Sequence, residues 1–490
     1  MKKKFLTLML RLLTCFLILF VFASCRATER YFYNTDKYTY QNTYKEYAHL
    51  ACNYKEKSAT SDSSAPCSTD QPLSLKKVVE IARANNPDSN MAAARIHQAQ
   101  ALMQLARAPF YPSVKFYTQY TQGDAPSAYL FKTIDQRKLP PDTDFNDPGW
   151  FQNHETGVKA DINLYNGGKD TLSYKIAEKK VTISKSERQS VDNRLVSTVI
   201  GIYYSAQAAR DFIRIAKKSV ATVETQLRIM RVRFEAGGVL KSDILSLEVR
   251  LANARENLVR SQSNLKAALA GLAKVMGLDP DTPIELTDVA GQTAEFPQNY
   301  NDGAVYALEH RPELKKVREQ LLQSRMAMDL AHSGYLPRVD LSARYYLDDP
   351  NLSYSITRNN WTAAVMLNWD IFTGFSTRNT QAKSLAVLEE MMSADRKTIL
   401  AIKSDVKNAY LKMDEVLARM QVTEKSVAMA EESLQLVKKQ YEGGSVGITR
   451  YLESELALSR ARTHKTAAFY DREKALAEIQ RAIGFWGVAQ

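Results

Sequence analysis

Apolar residues recur at alternating steps of three and four over two long stretches in the middle of this 490-residue chain. The positions of the first stretch are Ile213, Ala216, Val220, Val223, Leu227, Met230 and Phe234. The same rhythm resumes at Ile244 and continues to Val275. A sustained spacing of this kind predicts helices that pack as a left-handed coiled coil. Because the glycine pair Gly237-Gly238 separates the two stretches, the pattern predicts a helical hairpin.

A two-residue period marks four shorter segments. Apolar and polar residues alternate near residues 114–120, 158–164, 339–345 and 361–371. This alternation predicts β-strands with one apolar face. The fourth strand is expected to extend through Trp369 to Ile371. The polar stretch from Gly123 to His154, between the first two strands, is expected to be a long loop.

The order helix–strand–strand–helix occurs twice along the chain. Phe234 and Tyr441 lie 207 residues apart in matching contexts, whereas Pro87 and Pro312, which precede the strands, lie 225 residues apart. One duplication explains both distances if the first strand-connecting loop is 18 residues longer than the second. We therefore expect two repeats and a connector with little regular structure, at residues 73–278, 304–490 and 279–303.

Helix lengths predict how the helical part is assembled. At 1.5 Å per residue, the helix expected over residues 169–236 would be roughly 100 Å long. Its return over residues 239–277 would be only roughly 57 Å, and the helix at residues 87–108 would add roughly 33 Å. Two short helices stacked end to end would thus nearly match one long helix.

The N-terminus has the pattern of a targeting segment. Three lysines precede an apolar run, and small residues stand directly before Cys25. This is typical of a secretory signal over residues 1–24, and its end is similar to a bacterial lipobox, in which Cys25 would be acylated. The alternative is an ordinary signal peptide that happens to end near a cysteine.

Residues 25–72 are first rich in tyrosine and then in serine, aspartate and proline, which predicts an extended arm. Within it, Cys52 and Cys67 are the only pair free to oxidise in an oxidising envelope compartment. A disulfide and two free thiols both stay open.

Charge and motifs exclude several classes of function. The formal net charge of +12 falls to +8 without residues 1–24, and no basic arm is present, which argues against nucleic-acid binding. We find no P-loop, HExxH, G-x-S-x-G or CxxC motif, and the six histidines are scattered. The sequence therefore predicts no enzyme, no cofactor and no metal site.

The four strands raise a physical problem. Each is about long enough to cross a membrane as a tilted strand, yet four strands are too few to close a barrel. An open edge is not tolerated in lipid. Either the chain oligomerises or the strands are soluble. Trp150, Trp361 and Trp369 fit an interfacial aromatic belt, with core packing as the alternative.

Several of these features together resemble the TolC-like outer-membrane efflux protein family, in particular its lipoprotein branch. The features that show the resemblance are Cys25, the strand-to-helix junction at residues 164–169, the RFEAGG turn at residues 233–238, the turn at residues 441–455, and the duplicated order of elements. The resemblance covers about residues 73–486.

The resemblance implies a mainly α-helical fold with a small membrane β-barrel. Three copies would contribute twelve strands to one barrel and twelve helix columns to a coiled-coil tunnel in the periplasm. It also implies a bacterial outer-membrane location, with a lipid anchor at Cys25. The implied partners are a homotrimer, a periplasmic adaptor, an inner-membrane pump and outer-membrane lipid.

We assign the candidate site residues to three groups. A periplasmic tip with a gate is expected at Lys241, Asp243, Arg450 and Glu453. The turns of the tips are expected at Gly237, Gly238, Gly443 and Gly444, and the strand-to-helix turns at Gly167, Gly168 and Gly374. The alternative for the four charged residues is that they are solvated residues at helix starts, where carboxylates favour the positive helix end.

The leading hypothesis is a passive exit duct of a tripartite efflux system. An exit duct for type I protein secretion is the runner-up within transport. A structural envelope lipoprotein that does not conduct belongs to a different class, and an enzyme is the weakest alternative.

Overall fold

The computed structural model describes residues 72–287, 296–353 and 355–487. The signal segment, Cys25, Cys52 and Cys67 lie outside these described residues, as does all of the predicted arm except its last residue. Acylation and the disulfide therefore stay predictions.

Long helices and four strands form the described part of the chain, apart from short 3-10 turns. The helices are α1 (Leu75–Asn85), α2 (Pro87–Leu105), α3 (Pro126–Asp135), α4 (Lys169–Glu235), α5 (Lys241–Val275), α6 (Tyr300–His310), α7 (Pro312–His332), α8 (Ser376–Glu442) and α9 (Ile448–Ile483). The strands are β1 (Ser113–Gly123), β2 (Phe151–Tyr165), β3 (Arg338–Asp349) and β4 (Asn359–Asn368). This order confirms the duplicated helix–strand–strand–helix unit. Of the helices in the described ranges, none is both long enough and apolar enough to cross a membrane.

The short helices begin where the sequence places a cap. The side chain of Asn86 accepts a hydrogen bond from the backbone N–H of Asp88 at 2.8 Å, and Pro87 occupies the first turn, where its missing N–H costs nothing. The pairs α1–α2 and α6–α7 then run beside the long helices. α1 and α2 pack on α4, while α7 packs on both α4 and α8, which gives long helices beside stacked short pairs.

The predicted coiled-coil seam is the buried seam of the structure. In the first hairpin, Val223, Leu227 and Met230 of α4 are buried in one cluster with Leu247 and Leu251 of α5. The residues that flank these positions are mostly exposed. A 3–4 spacing buries one stripe per helix, so the helices of each hairpin associate through this stripe. In the second hairpin, α8 buries a similar stripe that includes Val427 and Val437. Its polar residue Thr423 is also buried, and the Thr423 hydroxyl donates to the Met420 carbonyl at 3.0 Å.

The four strands form one antiparallel sheet in the order β1-β2-β3-β4. Because side chains alternate along each strand, the register separates two faces. One face is mainly apolar in its middle; it carries Val114, Phe116, Val158, Ile162, Leu341, Trp361 and Val365. The other is polar and carries Lys115, Lys159, Asp161, Asp340, Ser342, Arg344 and Thr362.

Three sequence expectations were wrong in detail. The expected loop at residues 123–154 contains α3 and the first residues of β2, which begins at Phe151. β4 ends at Asn368, so Trp369 and Ile371 lie beyond it. α6 begins at Tyr300, inside the expected connector, because Asn299 caps it by accepting a hydrogen bond from Asp302 N at 2.9 Å.

The tryptophans are exposed in the single chain. Trp150, Trp361 and Trp369 keep 61%, 77% and 59% of their surface accessible, which excludes core packing within one chain. Trp361 lies on the apolar face of the sheet, and the indole N–H of Trp369 donates to the Tyr335 carbonyl at 3.0 Å.

Candidate functional site

Each coiled-coil hairpin ends in a tight turn that contains a left-handed glycine. At the first tip, Gly237 has φ +74° and the N–H of Gly238 donates to the Arg233 carbonyl at 2.8 Å. At the second tip, Gly444 has φ +76° and the N–H of Ser445 donates to the Gln440 carbonyl, also at 2.8 Å. This is the usual glycine-dependent end of a helix. The turns are therefore built alike.

The other predicted glycines divide by conformation. Gly443 is the C-cap of α8 and has φ −80°, which does not require glycine. Gly167, Gly168 and Gly374 have φ of +67°, +79° and +61° at the strand-to-helix turns. A Cβ on Gly167 would lie 2.8 Å from the Cβ of Leu336, so this turn needs glycine for both its backbone and its packing.

The four predicted gate residues lie at the starts of α5 and α9. Lys241 is exposed and is the first residue of α5. Asp243 accepts a hydrogen bond from Leu240 N at 3.3 Å, which caps α5. Arg450 and Glu453 form an exposed ion pair of 3.7 Å within α9. The structure thus brings Arg450 and Glu453 together, but inside one helix, where the pair joins no two hairpins of the chain.

The contacts that join the two hairpins come from residues outside the predicted gate set. Arg233 stacks on the Tyr441 ring, 5.5 Å from its centroid, and its guanidinium donates to the Tyr441 hydroxyl at 3.3 Å. Arg250 donates to the Leu452 carbonyl at 2.7 Å. Each arginine lies in the first hairpin and each acceptor in the second. No periodicity signals these pairs, although Arg233 stands in the RFEAGG motif.

Aromatic packing completes the tip. The rings of Tyr441 and Tyr451 stack, with centroids 5.5 Å apart. Burial, reinforced by the neighbouring Glu455 carboxylate, raises the pKa of Tyr451 to about 12. The Tyr451 hydroxyl therefore stays protonated and donates to Glu455 at 3.4 Å.

A groove of about 390 Å³ lies between the two coiled-coil hairpins, near their tips. Its lining mixes apolar and charged side chains, among them Arg250, Leu434, Leu452, Glu455 and Arg462. Across residues 72–287, 296–353 and 355–487, no group of three or more histidine, cysteine, aspartate or glutamate residues could hold a metal ion.

Comparisons with known proteins match this architecture. The model of a family described as outer membrane efflux protein matches residues 78–278 and 304–485. Protein CyaE of Bordetella pertussis is 25% identical over 418 residues, which are 84% of each chain. The pyoverdine export outer membrane protein OpmQ of Pseudomonas aeruginosa is 22% identical with the same coverage. The CmeC outer membrane channel of Campylobacter jejuni superposes with a TM-score of 0.73 at 15% identity, over 84% of this chain and 85% of CmeC.

Paired coiled-coil hairpins that end in glycine turns, together with a two-faced four-stranded sheet, define an envelope channel subunit. The matched regions span most of both repeats, so the chain belongs to the outer membrane efflux protein family. It is an outer-membrane exit duct, and its family is one of transport channels rather than enzymes.

Proposed function

We propose that three copies of this chain form one channel, with twelve strands closed into a barrel and the hairpins forming a periplasmic tunnel. The observation that carries the proposal is the sheet itself. Within the described residues it has two terminal strands, β1 and β4, and one largely apolar face. Lipid tolerates such a face only if no strand edge stays open.

The parity of the strands supports closure between copies. All neighbours in the sheet are antiparallel, so β4 runs opposite to β1. The β4 of one copy can therefore pair with the β1 of the next in the same antiparallel manner. Twelve strands would then close without a parallel junction, leaving the polar face toward a water-filled interior.

The remaining parts take their roles from this arrangement. The repeats at residues 73–278 and 304–490 each supply one hairpin, and the connector at 279–303 joins them. The tips, with Lys241, Asp243, Arg450 and Glu453, face a periplasmic adaptor that an inner-membrane pump feeds. Conduction is passive in this proposal, because the sequence contains no P-loop with which nucleotide hydrolysis could drive transport.

We further propose that acylated Cys25 anchors the chain beside the barrel. A closed barrel buries far more apolar surface than one lipid anchor, so the barrel holds most of the membrane affinity. Cys25→Ser should remove the fatty acid from the mass of the mature protein and leave the protein in the outer membrane. A parent protein without any fatty acid would refute the anchor.

Two measurements on the purified protein test the channel. Light scattering in detergent should give the mass of a trimer, and planar-bilayer recording should give discrete ohmic steps. A folded, monodisperse monomer would contradict the barrel. A stable trimer that never conducts would instead support a structural envelope lipoprotein.

A further inference from the structure

The connection between β1 and β2 carries a helix, α3, that lies over the polar face of the sheet. Lys132 of α3 extends to this face, where its ammonium contacts Glu155 Oε2 at 2.6 Å and Asp348 Oδ1 at 3.1 Å. Asp348 has no exposed surface. A carboxylate this deeply buried needs partners for its charge, and Lys132 supplies one from outside the sheet.

Further hydrogen bonds fix the end of α3 to the strands. The Gln136 amide donates to Asn153 Oδ1 at 2.8 Å and to the Gln152 carbonyl at 2.9 Å. Arg137 ends the helix with φ +57°, and its guanidinium donates to Asn360 Oδ1 at 3.2 Å. Left-handed backbone is unusual for a non-glycine residue and persists where the surroundings impose it. α3 is thus tied to β2, β3 and β4.

The side of the sheet on which α3 lies decides what the helix does. Its anchors Asn153, Glu155 and Asp348 lie on the same face of the sheet as the polar residues Lys159, Asp161 and Arg344. The apolar residues lie on the opposite face. If the apolar face meets lipid, as in the proposed barrel, α3 lies inside the barrel at the end far from the coiled coils.

α3 also presents an uncovered apolar side. Phe131 is 69% exposed and Ile134 is 46% exposed, although both belong to a helix that packs on the sheet. Inside a three-fold barrel, the α3 helices of the other two copies would lie at the same level of the same interior. Symmetry brings identical residues together around the axis, so one occupant, the same helix of a second copy, covers this side.

We propose that α3 is an inward-folded plug, held by Lys132, that narrows the outer mouth of the duct. This inference rests on the proposed barrel. The described residues of the connection between β3 and β4 form no α-helix of this kind. This shorter connection closes on itself, where Asp349 accepts hydrogen bonds from Ser353 N at 3.1 Å and from Arg358 at 2.6 Å.

The test measures how fast reagents enter from outside, so it does not depend on the periplasmic tips. In a chain with Cys52→Ser and Cys67→Ser, Ser342→Cys places a thiol on the polar face of β3. Ser342 lies six residues from Asp348, or about 20 Å deeper at 3.3–3.4 Å per residue. Intact cells are treated with a small charged maleimide and with a maleimide that carries a long polyethylene glycol chain.

The parent should react with the small reagent and only slowly with the long one. Lys132→Met should accelerate the long reagent at least about tenfold, the factor that about 1.4 kcal/mol of lost closing free energy gives. Lys138→Met is the matched control, because Lys138 is exposed in the same connection, and it should leave the rate unchanged. Equal rates in Lys132→Met and the parent would overturn the plug.

Two further variants keep the test decisive. If Lys132→Met fails to reach the membrane, Asp348→Asn is added to it, which removes the buried charge that Lys132→Met leaves without its lysine partner. The labelling rates of this double variant and the parent are then compared. Val365→Cys, on the apolar face, should resist both reagents. If Val365→Cys reacts while Ser342→Cys resists even the small reagent, the proposed barrel fails, whatever the plug does.

Discussion

The two repeats agree in their helices and differ in their outer connections. The long helices α4 and α8 both have 67 residues, and the returns α5 and α9 have 35 and 36. The connection between β1 and β2 covers residues 124–150, whereas that between β3 and β4 covers only residues 350–358. Adjacent coiled-coil hairpins must have nearly equal lengths, because a helix that extended beyond its neighbour would expose its apolar stripe. The outer connections meet no such limit.

At several matched positions the repeats reach the same geometry with different chemistry. Exchanging residues between such positions separates what the shared fold requires from what one repeat alone requires. At four pairs of matched positions, we expect substitutions to lower stability by decreasing amounts. The melting temperatures of each pair are compared at one scan rate, because unfolding of large assemblies is often irreversible.

The largest effect is expected in the hairpin core. Leu247 is fully buried in α5, whereas Ser454 occupies the matching position, 207 residues on, in α9. Leu247→Ser should cost about 2–5 kcal/mol, the range for removing a buried leucine side chain. Ser454→Ala should cost less than about 1 kcal/mol, because its hydroxyl bonds only the Arg450 carbonyl of its own helix. Similar shifts in melting temperature for both variants would show that the second tip is packed as tightly as the first.

The next effect is expected in the sheet. A Cβ on Gly157 would lie 2.5 Å from the Tyr345 carbonyl oxygen and 2.6 Å from Tyr346 Cβ, whereas the matching position carries exposed Ala364 on β4. Gly157→Ala should cost about 1–3 kcal/mol through overpacking and reduce the yield of trimer. Ala364→Gly should change stability by less than about 1 kcal/mol. A fully stable Gly157→Ala trimer would mean that β2 and β3 separate more easily than their register indicates.

The third comparison concerns the residues directly before Pro87 and Pro312, the prolines that begin α2 and α7. Asn86 donates to the Val275 carbonyl at 2.8 Å, and Arg311, 225 residues on, donates to the Ala482 carbonyl at 3.0 Å. Both acceptors lie at the end of the return helix of their own repeat. Asn86→Ala should cost about 0.5–2 kcal/mol, the range for losing a helix cap, with the Val275 carbonyl left unpaired in addition.

Arg311→Asn is the informative partner variant. Asparagine at this position can cap α7 and donate to Ala482, as Asn86 does in the first repeat. We therefore expect its melting temperature to fall less than that of Asn86→Ala. A larger fall in melting temperature would show that the contacts of Arg311 with Glu313 and Asp405, at 2.9 and 3.5 Å, stabilise the start of α7 more than the cap does.

Periodicity was enough to predict the elements that repeat. The 3–4 spacing located the first hairpin because every seam position except Phe234, which is 41% exposed, is buried or half-buried. The 18-residue difference between the two repeat distances reappears as connections of 27 and nine residues. Strand alternation predicted the two faces for the same reason: neighbouring residues on one strand see different surroundings.

Contacts between distant segments could not be predicted in this way. α3 has only ten residues and is flanked by polar, proline-containing segments, and Lys132 of α3 pairs with Asp348, which is more than 200 residues away. Arg233 and Tyr441 meet only because two hairpins of equal length end at the same level. By contrast, the pair Arg450–Glu453 follows from its spacing within one helix.

The smallest effect on stability is expected at the tips, where the two repeats also differ. Asp243 caps α5, whereas the matching position in α9 carries Arg450, which pairs with Glu453 instead. Asp243→Ala should cost about 0.3–1 kcal/mol, as expected for a carboxylate at a helix start. Arg450→Ala with Glu453→Ala removes an exposed pair, typically about 0–1 kcal/mol, so the trimer should melt almost as the parent does.

The same double variant tests the gate through conductance. If three copies of Arg450 and Glu453 make polar contacts where the tips converge, their removal should raise the single-channel conductance, because weak contacts can hold a tip closed without locking it. Glu256→Ala with Arg260→Ala is the control, since it removes an equally exposed pair from the shaft of α5. Conductance that rises in neither variant would assign Arg450 and Glu453 to solvated positions at the start of α9. A rise only in the tip variant would place the constriction of the resting channel where the second hairpins meet.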